Sequence, residues 1–82
     1  MGRGKILDQM DAAITRANMD TAQTAAFFDR WVFNYQHRKL MKLIFCHGLT
    51  YEMAVEQMKP EISVRQAKRD VKLCVSQLVR RL

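Results

Sequence analysis

Arg65, Gln66, Lys68, Arg69 and Lys72 crowd into residues 65–72 of an 82-residue chain, and all five offer N–H donors. A guanidinium is a rigid fork of donors that fits a phosphate or the O6/N7 edge of guanine. An ammonium is a compact point charge for a phosphate, and a carboxamide can pair with adenine. At about 100° per residue, Arg65, Arg69 and Lys72 share one side of a helix, with Lys68 at its margin and Gln66 nearby. Arg80 continues that side. A solvated charged face is the commonest outcome of such spacing, so the elements around it must decide what it does.

Other chemistries find less support. His37, Cys46, His47 and Cys74 are the only soft metal ligands. No two cysteines stand two to four residues apart as a zinc site wants, so no metal is expected. Gly2 and Gly4 sit at the terminus and form no phosphate loop. Cys46 and His47 are adjacent, and neighbours on a helix diverge by roughly 100°, which defeats a nucleophile–base pair. The chain is expected to be no enzyme and to carry no cofactor.

The net charge is +6, and it is unevenly placed. Residues 1–34 hold Arg3, Lys5, Arg16 and Arg30 against Asp8, Asp11, Asp20 and Asp29, which cancel. The whole excess therefore lies in residues 35–82. A local field of this sign draws polyanions, nucleic acid above all. Met1–Lys5 leads into no long apolar run, and no stretch nears the roughly 20 apolar residues of a membrane span. With only two cysteines, the expected setting is a reducing cytoplasm in which both remain thiols.

The elements read as all-helical, four to five in number, in a single domain over 1–82. Ile6, Leu7, Met10, Ile14 and Ala17 define a first helix from Lys5 to about Asn18, preceded by a loose basic arm. Phe27, Phe28, Trp31, Val32 and Tyr35 share one side, whereas Leu40, Leu43 and Ile44 are rotated by very roughly 130°. Either one long helix serves two packing partners or, as favoured here, the chain bends or breaks near residues 34–37, with the next helix starting near Arg38. Gly48 suits the left-handed position that ends it. Thr50 is an N-cap for a short helix through Met58, Pro60 forbids its continuation, and Ser63 caps a long last helix to about Arg81. In that helix Ala67, Val71, Cys74, Val75, Leu78, Val79 and Leu82 form the apolar stripe, and Leu73 points away from it.

The stretch Arg38-Lys39-Leu40-Met41-Lys42-Leu43-Ile44-Phe45-Cys46-His47-Gly48-Leu49-Thr50-Tyr51-Glu52-Met53-Ala54 resembles the approach helix and first motif helix of the region 4 helix-turn-helix of bacterial sigma factors. Small regulators of fimbrial operons and plasmid repressors are built similarly. Gly48, Leu49, Thr50, Tyr51 and Glu52 match the pattern, Ala54 takes its alanine position and Val64 its aliphatic one. Met58 stands where the turn usually has glycine, and Lys59 where a small apolar residue is usual. The likeness covers about 35 residues, 38–72. It implies that Arg65, Gln66, Lys68, Arg69 and Lys72 contact DNA from a recognition helix, with Thr50 and Tyr51 near the phosphate backbone.

The expectation is a small homodimeric regulator of transcription, a repressor of bacterial, plasmid or phage origin, that binds double-stranded DNA through residues 38–82. Residues 1–35 would dimerise through Phe27, Phe28, Trp31 and Tyr35, because aromatic anchors concentrate at interfaces. The alternative is a module that docks on a partner protein through aromatic and methionine side chains, in which case the Phe27–Tyr35 group is exposed. RNA binding would interleave aromatic and basic side chains on one exposed face. Here the two lie in separate halves of the sequence.

Overall fold

Four of the five helices begin at a side chain suited to capping, and the computed structural model, which describes residues 2–82, shows each cap made. The first helix, α1 (Lys5–Arg16), starts at Gly4 without a side-chain cap. It ends where Asn18 takes a left-handed φ of 56°. Asp20 then accepts from the Gln23 amide while the Gln23 side chain accepts from the Asp20 amide, a reciprocal box that opens α2 (Thr21–Trp31). Asn34 accepts from the amides of Gln36 and His37 and opens α3 (Tyr35–Phe45). The break therefore falls at residues 32–34, and α3 starts three residues before Arg38.

Gly48, at φ 70°, turns the chain after α3 while the His47 and Leu49 amides bond to the Lys42 and Leu43 carbonyls. Thr50 caps α4 (Tyr51–Glu56), and Ser63 caps α5 (Val64–Leu78), which runs on into a 3-10 turn at Val79–Arg81. Among the described residues there is no strand. The connection at residues 57–63 is longer than the roughly 3–4-residue turn of a compact helix-turn-helix unit. Within it Met58 is fully buried, while Lys59 and Pro60 are exposed.

α5 is the central rod and touches α1, α3 and α4, while α2 lies against α3. Ala67, Val71, Cys74, Val75 and Leu78 are buried along it as the periodicity predicts. Val79 is only half-buried and Leu82 is exposed, because the 3-10 turn rotates the end of the stripe outward. Phe28, Leu40, Ile44, Met10, Met41 and Met58 complete the core. Each such side chain contributes about 1.5–3 kcal/mol by leaving water. Three methionines are thus core residues, not a docking surface. No helix among the described residues is long and apolar enough to cross a membrane.

Candidate nucleic-acid interface

The three contacts of α5 divide its surface. Its apolar stripe is buried, Lys68 and Lys72 border α1 and Tyr51 of α4, and Asp70 lies beside His37 of α3. Arg65, Lys68, Arg69 and Lys72 are all exposed, and none of them has an ion-pair partner among the described residues. The one carboxylate on the helix, Asp70, is turned away from them. Its Oδ1 accepts from Gln66 Nε2 at 2.8 Å and lies 3.6 Å from His37 Nε2 on α3. The four cations are left to solvent by this arrangement.

Gln66 departs from the expectation that groups it with the reading residues. It is half-buried, and its amide is committed to Asp70 one helical turn away. A free carboxamide could pair with a base edge, whereas this one must first break a bond to a carboxylate, a class of hydrogen bond worth about 1.5–3 kcal/mol. Leu73 is exposed beside the cations, on the side of Arg69 and Gln66.

Thr50 and Tyr51 lie at the start of α4. The Thr50 hydroxyl accepts from the Met53 amide at 3.2 Å, which leaves its own proton free to donate. The Tyr51 ring stands beside Lys68, whose Nζ is 5.7 Å from the ring centroid. Burial pushes the Tyr51 phenol above its ordinary range, although Arg3 opposes this, so the hydroxyl stays a donor.

A residue that charge counting by halves conceals appears here. A cleft of about 300 Å3 opens between the first turn of α1, Tyr51 and α5, and Lys5, Lys68 and Lys72 all line it. Lys5 belongs to the half whose charges cancel, so its place beside α5 has no local signal in the sequence. The same is true of Arg3. The chain there is not a loose arm: Arg3 donates to both carboxylate oxygens of Asp11 and to the Ile44 carbonyl at 2.9 Å, and its own amide donates to Asp8. Its guanidinium also lies 5.4 Å from the centre of the Phe45 ring. Met1 lies outside the described residues.

The aromatic group of the N-terminal half does not form one surface. Phe28 is fully buried in the protomer's own core, against Phe27 and Phe45 with ring centroids 6.2 and 6.1 Å away, and is unavailable to a second subunit. Phe27 and Trp31 are half-buried, and the guanidiniums of Arg81 and Arg30 lie 3.8 and 5.2 Å from the Trp31 ring centre. Phe33 and Tyr35 are the exposed members, at 81% and 69%. The break at residues 32–34 turns them outward. Tyr35 also borders a second cleft of about 460 Å3 with Arg38, Lys39 and His47, where Lys42 pairs with Asp29. Aromatic and basic groups are neighbours here, as they are at Trp31, Phe45 and Tyr51.

The cysteines are held as thiols by their surroundings. Burial, with Asp70 adding to it, pushes Cys74 up to about 11. Burial likewise raises Cys46, with Lys42 opposing and Asp29 assisting. Comparison with known protein families, with curated proteins and with solved structures finds no match to this chain.

Proposed function

We propose that the protein binds duplex DNA through the open face of α5, with α4 and α5 acting as a helix-turn-helix, and that it serves as a small transcriptional regulator, a repressor in particular. The observation that carries this is the exposure of Arg65, Lys68, Arg69 and Lys72 on one side of a rigid helix whose sole carboxylate faces elsewhere. Arg65 and Arg69 are the base-reading residues in this proposal, because a guanidinium can engage guanine through two bonds. Lys68 and Lys72 neutralise phosphates, with Thr50 and Tyr51 donating beside them. Gln66 is assigned no base contact while Asp70 holds it.

The decisive experiment is selection of bound fragments from random duplexes, followed by titration of the enriched site. Arg65→Ala with Arg69→Ala should abolish sequence preference and leave the helical spectrum unchanged. Equal binding of enriched and scrambled duplexes by the unaltered protein would end the proposal. Affinity should fall steeply with salt, with a log–log slope of about 0.9 per phosphate neutralised.

Homodimerisation is part of the proposal, since two copies would set two such helices about 34 Å apart for a two-fold site. The exposed pair Phe33 and Tyr35 replaces Phe28 as its anchor. The same exposure favours a second reading, in which that pair docks on a different protein. Light scattering separates them: a dimer that Phe33→Ser with Tyr35→Ser converts to monomer supports the first, and a monomer at all concentrations supports the second.

A further inference from the structure

The cleft between α1, α4 and α5 gathers several cations of the described residues on one wall. Lys5 comes from the first turn of α1, and Lys68 and Lys72 from successive turns of α5. All three are exposed, and none is ion-paired among the described residues. Asp8 and Asp11 are the acids of α1; Arg3, which also lines the cleft, donates its amide to Asp8 at 2.8 Å and its guanidinium to Asp11 at 2.8 Å. Arg3 thus neutralises Asp11 and leaves the three lysines without an ion-pair partner among the described residues.

We propose that Lys5, Lys68 and Lys72 together seat one phosphate of the DNA backbone, with the Tyr51 hydroxyl as a neutral donor in the same cleft. This rests on the DNA-binding reading above and extends it to the N-terminal half of the chain. Three ammonium groups on a concave wall suit a tetrahedral oxyanion, which accepts from several directions and needs no bidentate fork. The cleft adjoins the face that carries Arg65 and Arg69, so a strand held there fixes the register of α5 without reading a base. Lys68, held near the Tyr51 ring, ties the phosphate seat to the start of α4.

The test is titration of enriched and scrambled duplexes at several salt concentrations with the unaltered protein, Lys5→Ala, Lys5→Arg and the pair Lys68→Ala with Lys72→Ala. Lys5→Ala should weaken binding several-fold and equally on both duplexes, and should lower the salt slope by about one. Lys5→Arg should retain the affinity, and the helical spectrum of each variant confirms its fold. If Lys5→Ala matches the unaltered protein in affinity and slope while the Arg65/Arg69 pair loses sequence preference, the phosphate seat is wrong and the DNA reading stands. If the unaltered protein binds no duplex even at low salt, both fall. Inorganic phosphate, followed through the amide resonances of Lys5 and Tyr51, separates the sources. Millimolar phosphate that moves them without duplex binding would make the cleft a site for free anions and overturn its assignment to DNA.

Discussion

Arg3 and Arg69 carry the same guanidinium to opposite ends. In the N-terminal arm it is consumed internally, bound to Asp11 and to the Ile44 carbonyl and laid near Phe45. On α5 it has no ion-pair partner among the described residues. The aromatic residues show the same division, since Phe28 is sealed in the core while Phe33 stands free. Counting side chains of one type therefore does not locate a binding surface. What locates it is which of them the fold has left without a partner.

The comparison is broken or sharpened most strongly at Phe28. Phe28→Ala should destabilise the fold by about 3–5 kcal/mol, because a large buried ring leaves a cavity. Denaturant titration measures this, and a small change would mean that the ring belongs to the surface group after all. Next comes the open face of α5. Arg65→Ala with Arg69→Ala should reduce specific DNA affinity by about a hundredfold or more, yet shift unfolding by less than about 0.5 kcal/mol, the range of exposed positions.

The inner face of the same helix responds to pH instead. Cys74 binds its proton more tightly when folded, at about 11 against 9.0, so its contribution is intact below pH 9.0 and is lost as pH rises toward 11. The loss is on the order of 2 kcal/mol when both states are ionised, discounted for partial solvent screening. Cys74→Val should flatten the decline in melting temperature over that window, and an unchanged decline would place the titration elsewhere. Arg3→Ala should destabilise by about 1–2 kcal/mol through its lost carbonyl and carboxylate bonds, discounted for their partial exposure. Arg69→Ala should not, and equal melting temperatures for the two variants would erase the contrast between arm and helix. The smallest effect belongs to Phe33→Ser with Tyr35→Ser, within about 0.5 kcal/mol of the unaltered protein.

Much of the architecture was legible because it rests on local chemistry. Thr50 and Ser63 act within three residues of themselves, and the stripe of α5 repeats at the helical period, so these boundaries and inward faces are readable along the chain. The cations of α5 were legible for the same reason. What local spacing does not encode depends on long separations or on a choice between partners. Arg3 reaches Ile44 across 41 residues. Lys5 meets Lys68 and Lys72 only once α1 has docked. Gln66 could face a ligand or bond to Asp70 one turn on, and spacing alone does not rank the two. Phe28 and Phe33 parted company because a few extended residues at 32–34 reset the rotation of the chain.

One consequence follows from the brevity of α4, which has six residues. Isolated helices shorter than about 12–15 residues are marginal in water. α4 persists through the Thr50 cap and through Ala54 and the neighbouring Met58, both buried in the common core. Its amides should accordingly exchange with deuterium sooner than those of the 15-residue α5. A polyanion gripping Tyr51 would then announce itself as slowed exchange in this one short segment, giving a readout of occupancy that needs neither a label nor a known operator.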